Sequence, residues 1–376
     1  MYKKNNILIA LTGGHAVGEA MRQINPDVVA VYPITPQTPI IEYFAKRIAD
    51  GEIDTEIIPV ESEHSAMSAC IGASACGART MTASSSQGIM YMFEVLPVAS
   101  SMRLPIVMAV SNRAISGPIN IHGDHSDAMV MREMGWIQLF AENAQEAYDN
   151  MVIGCKIAEK ALLPLATNMD GFFTSHSVEN LELLRNADVK NFVGNYIPRQ
   201  HLLDFDNPKT FGPVALQNSY FEFRKQIFDA MSKVPDIFNK VTEEFKKLSG
   251  RECVSVERYK TNDAETVIVA IGSVCGTVKD AVDKLRDKGR KVGLVKITLF
   301  RPFPYNDVKQ ALRNVQEVIV LDRNLAFGTK QVLAGEVGFA IGKEVQSIVY
   351  GLGGRDVYEE QIIDLFKGKN NSGFIM

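Results

Sequence analysis

The chain has 376 residues, 46% of them hydrophobic, with 40 basic against 44 acidic side chains and a formal net charge of −4. That length exceeds one ordinary core, so two domains are expected, and the charge leaves no basic stripe for a phosphate backbone, which argues against a nucleic-acid partner. No apolar run approaches a membrane span, and residues 7–11 are too short for a secretory signal behind Lys3 and Lys4, so a cytoplasmic protein with no membrane partner is expected.

Residues 7–11 give a strand, and Thr12-Gly13-Gly14 turns into a helix over residues 15–23 in which His15 is more simply a packing or capping residue than a ligand. Next, Val28-Val29-Ala30-Val31 is apolar on both faces, as a strand of a covered parallel sheet should be, and it stops at Tyr32-Pro33-Ile34-Thr35-Pro36. Proline cannot continue a ladder, so Thr35 stands just past a strand end, where open α/β sheets bind ligands. A Pro-capped turn into the helix over residues 38–49 is the plainer alternative. A strand over residues 55–60 then runs into Glu61-Ser62-Glu63, with Ser62 placed to cap a helix from Glu63 to about residue 78. Ser65, Ala66, Ser68, Ala69, Gly72, Ala73, Ser74, Ala75 and Gly77 leave that helix almost without bulk. Each glycine costs about 1 kcal/mol relative to alanine, so a neighbouring helix or a second subunit is expected to pack closely on it.

After a strand over residues 79–83, Ser84-Ser85-Ser86-Gln87-Gly88 opens a helix over residues 88–102, its hydroxyls either cradling an anion or capping the helix. The strand over residues 105–111 ends at Asn112 and Arg113. Beside Thr35 and a glutamate from neighbouring strand ends, the planar fork of Arg113 suits a carboxylate, the alternative being an ion pair with a nearby acid. In the loop over residues 115–127, His122-Gly123-Asp124-His125 lacks helical spacing and a third ligand, so no metal ligand is assigned. Residues 136–141, a helix over 143–161 and a strand over 163–169 complete a doubly wound parallel sheet.

Periodicity fades over residues 171–215, which read as a long ordered arm, before helices over 221–231 and 237–248. The boundary falls there, giving domains of residues 1–250 and 251–376. In the second, strands over 266–271, 291–297, 315–321 and 345–350 alternate with helices over 275–288 and 328–342, a smaller parallel sheet. Gly351-Leu352-Gly353-Gly354 is no dinucleotide fingerprint, since Asp356 stands where the third glycine would, and it reads as a turn before the last helix. Cys70, Cys76, Cys155, Cys253 and Cys275 form no Cys-x-x-Cys pair; free thiols in a reducing cytosol are expected, with no iron–sulfur cluster of the chain's own.

Together, Tyr32 to Pro36, Ser62-Glu63, Ser84-Ser85-Ser86-Gln87-Gly88, Asn112-Arg113-Ala114 and Gly123-Asp124-His125 resemble the alpha subunit of pyruvate:ferredoxin oxidoreductase and its 2-oxoacid relatives. The resemblance runs in order through most of the chain. It implies a thiamine-diphosphate-binding, pyrimidine-type α/β domain followed by a smaller transketolase C-terminal-like α/β domain. The Gly-Asp-Gly motif that holds the diphosphate through Mg²⁺ in such families is missing here. The resemblance therefore places the diphosphate, Mg²⁺ and the 4Fe-4S clusters on beta, gamma and delta partner subunits, with ferredoxin as acceptor and pyruvate and CoA as substrates.

Carried over by the same resemblance, Glu63 is the catalytic glutamate that hydrogen-bonds the pyrimidine ring, with Glu61 as a competitor. Thr35 and Arg113 receive the 2-oxoacid carboxylate, and Tyr32, Pro33, Ser86 and Gln87 border the cofactor. Within the family the segment from Asn112 to Asp127 looks most like the pyruvate type, leaving branched-chain 2-oxoacids, 2-oxoglutarate and oxalate as alternatives. A non-catalytic interaction subunit and a thiamine enzyme with another acceptor are the rival readings.

Overall fold

The computed structural model describes residues 6–369 and 372–376. In chain order its strands are β1 (Ile7–Thr12), β2 (Val28–Val31), β3 (Glu56–Pro59), β4 (Thr80–Ser84), β5 (Val107–Asn112), β6 (Ile137–Phe140), β7 (Leu165–Asp170) and β8 (Val178–Leu183). They continue with β9 (Val256–Tyr259), β10 (Thr266–Ala270), β11 (Val292–Ile297), β12 (Leu299–Arg301), β13 (Glu317–Asp322) and β14 (Gln346–Val349).

The larger sheet has seven strands in the order β12-β6-β7-β5-β4-β2-β3, all parallel except β12. Side chains alternate across a strand, so continuous apolar runs bury both faces. Val29, Val31, Val107 and Ala109 pack under the helices Gly13–Ile24, Thr38–Ala49 and Ala144–Ala161. Ala30, Met108 and Val110 face the opposite layer, which holds Met67, Ile89, Leu96 and Trp136. The smaller sheet, β14-β13-β10-β11-β9, repeats the arrangement, with Val267 and Val269 on one side and Ile268 and Ala270 on the other.

The two sheets share buried contacts. Phe300 of β12 meets Phe140 of β6 edge-on, with ring centroids 5.6 Å apart, inside the core of the second sheet. Lys296, 4% exposed, bridges Glu142, Glu146 and Glu257 at 2.7, 2.5 and 2.6 Å. These three carboxylates gather closely enough to suggest a cation site, and the Lys296 ammonium already supplies the positive charge.

Several boundaries differ from the sequence reading for local reasons. The helix expected over residues 88–102 is two short ones, Ser86–Tyr91 and Leu96–Ser101, because Pro97 sits in the first turn of the second. The arm over residues 171–215 contains the strand β8 and the helix Asn186–Val193. β8 pairs antiparallel with β1, so β1 belongs to a separate two-stranded ribbon and not to the large sheet. β9 and β12 have no counterpart in that reading; each is antiparallel and short, and Arg301 and Pro302 interrupt the apolar pattern around β12. The small-residue stretch meets this chain's own arm at one end, where an added Cβ on Gly77 would lie 3.2 Å from Pro198 and His201, whereas at exposed Gly72 an added Cβ would meet nothing within 4 Å.

Candidate active site

Adjacent placement of β3, β2, β4 and β5 gathers the segments that follow them along one carboxyl edge. Tyr32, Pro33 and Thr35 are exposed on it. At the next strand end, Ser62 caps its helix by accepting from the Ser65 N–H at 3.2 Å, which fixes Glu63 as the first helical residue. Glu63 is 7% exposed, and its carboxyl bonds to no other residue among those described, only to its own backbone N–H. It lies over Gly88, where an added Cβ would come within 2.7 Å of Glu63 Oε1, so glycine is what gives the carboxyl room. Burial holds that carboxyl above the usual carboxylate range, opposed by the backbone N–H at the helix start. The hydroxyls of Ser84 and Ser85, at the adjoining end of β4, are likewise buried without partners.

Arg113, 7% exposed, reaches across to the segment after β2. Its Nη1 donates to the Thr35 carbonyl at 3.0 Å and its Nε to the Asn120 carbonyl at 3.0 Å. It forms no ion pair among the described residues, and its Nη2 has no partner there, so one arm of the fork stays open. Thr35 and Arg113 thus meet, but through the threonine's backbone carbonyl and not through its hydroxyl.

Asp127, which sequence reasoning did not single out, ties these pieces together. Fully buried, it accepts from Asn112 Nδ2 at 2.8 Å, Ser86 N at 3.0 Å, Arg113 N at 2.9 Å and Ala128 N at 2.7 Å. Burial pushes its carboxyl up to about 6 against those donors. Ser86, in the left-handed region at φ 43°, spends its N–H on Asp127 and its hydroxyl on the Ala114 carbonyl at 2.5 Å. Exposed Gln87 accepts from the Ser116 N–H at 2.8 Å, which leaves its amide nitrogen toward solvent. Glu63 therefore rests on Gly88, two residues beyond Ser86, and the Ser86 and Arg113 N–H groups share one carboxylate oxygen. No sequence signal marks Asp127, because its partners lie 41 and 14 residues away and only the sheet order brings them near.

The two histidines of the loop part company. His122 stacks on Phe172 at 4.9 Å, whereas His125 is buried against Asp170 and Phe140. They do not face a common point.

Residues 19–243 match the family model described as pyruvate flavodoxin/ferredoxin oxidoreductase, thiamine diphosphate-binding, and residues 264–362 match pyruvate:ferredoxin oxidoreductase core domain II. The chain belongs to the pyruvate flavodoxin/ferredoxin oxidoreductase family. Among relatives of that family, pyruvate synthase subunit PorA of Thermotoga maritima is 50% identical over 374 residues, covering 98% of this chain and 95% of its own length. Ketoisovalerate oxidoreductase subunit VorA of Pyrococcus horikoshii is 41% identical over 358 residues, covering 94% of this chain and 91% of its own. A solved 2-oxoglutarate:ferredoxin oxidoreductase from Magnetococcus marinus, with 2-oxoglutarate, coenzyme A and succinyl-CoA bound, superposes with a TM-score of 0.77 at 20% identity. That likeness covers 98% of this chain and 66% of the other, and it establishes the oxidoreductase fold.

Proposed function

We propose that this chain is the alpha subunit of a pyruvate:ferredoxin oxidoreductase. In that reaction pyruvate and CoA give acetyl-CoA and carbon dioxide, and the electrons released reduce ferredoxin. Glu63 carries the proposal: a buried acid, held above its ordinary range and bonded to no other described residue, stands on the carboxyl edge of the larger sheet, within the segment that the thiamine diphosphate-binding family model matches. The edge fits an aminopyrimidine, since the Glu63 carboxyl and the orphaned Ser84 and Ser85 hydroxyls leave unmet hydrogen-bonding capacity there. Thiamine diphosphate, when bound, supplies the carbon nucleophile for the keto carbon and the sink for the electrons left by departing carbon dioxide.

The chain's own residues would then do three things. Glu63 shares a proton between its carboxyl and a ring nitrogen, a task that burial suits by raising its pKa above the ordinary carboxylate range. Arg113 offers its free Nη2 edge to the 2-oxoacid carboxylate, while Thr35 fixes the guanidinium through its carbonyl. Tyr32, Pro33 and Gln87 form the exposed rim that a cofactor and a second subunit would cover. The absent Gly-Asp-Gly motif supports a beta subunit holding the diphosphate and Mg²⁺. The five free cysteines support clusters carried by gamma or delta partners and a cytoplasmic location. Among the described residues no helix is long and apolar enough to cross a membrane.

Pyruvate is favoured over branched-chain 2-oxoacids because the pyruvate synthase relative is the more similar of the two, at 50% against 41% identity. The test is purification with native partners, followed by CoA-dependent ferredoxin reduction across a panel of 2-oxoacids. The highest kcat/KM is expected with pyruvate. A preference for ketoisovalerate would move the chain to the branched-chain enzymes, and reduction without any 2-oxoacid dependence would remove the assignment altogether.

A further inference from the structure

The glycine turn after β14 and the loop behind Arg113 are built for each other. Asn120, whose carbonyl seats Arg113 Nε, donates from Nδ2 to the Gly353 carbonyl at 3.0 Å, and the Gly354 N–H donates to the Gly123 carbonyl at 2.8 Å. His122 N donates to Asn120 Oδ1 at 2.7 Å, which holds the amide in that orientation. Gly353 and Gly354 lie in the left-handed region at φ 59° and 80°. An added Cβ would overlap Asn120 Nδ2 at the first and His122 Cβ at the second. Conformation and contact both demand glycine there.

A second, independent grip lies at the root of the same loop. Asp170, at the carboxyl end of β7, binds His125 Nε2, the Ser273 N–H at 2.8 Å and Arg323 Nη1 at 2.9 Å, while the Arg323 carbonyl accepts from the His125 N–H at 2.8 Å. Burial alone would raise Asp170, but His125 and Arg323 hold it far below the usual carboxylate range. Ser273, Arg323 and Gly351 all follow carboxyl ends of strands in the second sheet. That is the crevice in which open α/β sheets bind ligands, with anions at the helix amino terminus. Here the carboxylate at the start of the helix Val274–Arg286 is Asp170, from the first sheet.

We propose that the second sheet uses this crevice to seat Arg113, with Asn120, Gly353 and Gly354 as positioning residues that aim the guanidinium at the substrate carboxylate. This rests on the reading of Arg113 given above. The bond that Arg113 donates to the Asn120 carbonyl and the bond that the Asn120 amide donates to the Gly353 carbonyl form the relay, and the Asp170 ion group anchors the loop that carries it.

The test uses the assembled oxidoreductase. Asn120→Ala and Gly354→Ala should each raise KM for pyruvate about tenfold or more with kcat changed less than about threefold, because a displaced binding group weakens ground and transition states alike. Pairing His122→Gly with Gly354→Ala removes the overlap, though not the strain of alanine at φ 80°, and should lower KM at least about threefold from that of Gly354→Ala alone. Arg113→Ala in the same assay separates the two ideas: unchanged KM there defeats the carboxylate assignment itself. A raised KM for Arg113→Ala with unchanged KM for Asn120→Ala and Gly354→Ala defeats the positioning role, as does failure of the double variant to recover.

Discussion

Arg113 has an unusual setting for a surface-edge guanidinium, bound by two backbone carbonyls and no acid. An arginine so held makes no direct ion pair among the described residues, Asp127 acting on it only at a distance, and keeps one edge of its fork for an incoming carboxylate under the proposed function. Arg113→Ala should cost about 1.5 to 3 kcal/mol of substrate binding, the range for a hydrogen bond to a charged group, read as KM for pyruvate. Thr35→Val should cost about 1 kcal/mol or less, because the carbonyl that meets Arg113 survives the change. Asp127 makes a different prediction. Burial pushes its folded-state carboxyl up to about 6, above the 3.8 of a solvated aspartate, so between those pH values the folded protein keeps a proton that the unfolded chain has released. Stability therefore falls as pH rises through that window, and the margin of the native chain over Asp127→Asn should narrow from about pH 4 to about pH 6 and then level off. Thermal melts across that range check the sign; a widening margin would contradict it. At this scale the Ser62 cap was legible, because a serine between a strand end and an acid is a local pattern, whereas the choice of Glu63 over Glu61 came from the resemblance alone. Asp127 was not, since nothing nearby in sequence says which N–H groups it will meet.

Among the elements, the turn from β4 into the helix Ser86–Tyr91 matters most to the site. Gly88 allows the Glu63 carboxyl to cross the start of that helix. Gly88→Ala should displace the carboxyl and lower turnover of the assembled enzyme about tenfold to a hundredfold, the scale of an ångström-sized misplacement. Turnover within twofold of native would mean that the contact is incidental. The strands of both sheets were legible wherever an apolar run ended in a polar cluster, as at Val31, Ser84 and Asn112. The ribbon of β1 and β8 was not, because its partner strands are 176 residues apart from Ile7 to Leu183 and its faces are largely exposed. Pro97 explains the broken helix after β4, a signal present in the sequence but outweighed by its apolar surroundings.

The whole molecule is two sheets locked by buried charge as well as by apolar contact. Lys296 stands among three carboxylates, and removing it would leave them facing one another. Lys296→Met should destabilise the chain by about 3 to 5 kcal/mol, the usual consequence of breaking a buried ion group by losing one partner, visible as a lowered Tm. The pairing of β12 with β6 works in the same direction, returning the chain to the first sheet after the second has begun. Two sheets were readable from the alternation of strands and helices; their mutual fit was not, because Lys296, Phe300 and Asp170 each look unremarkable until the crossover brings their partners close. The proposed function rests on one buried acid at the carboxyl edge of the larger sheet. The most direct measurement is turnover of Glu63→Gln in the enzyme reassembled with its partner subunits. Loss of roughly 100- to 10,000-fold is expected if the carboxyl exchanges a proton with the cofactor, and activity within twofold of native would contradict it.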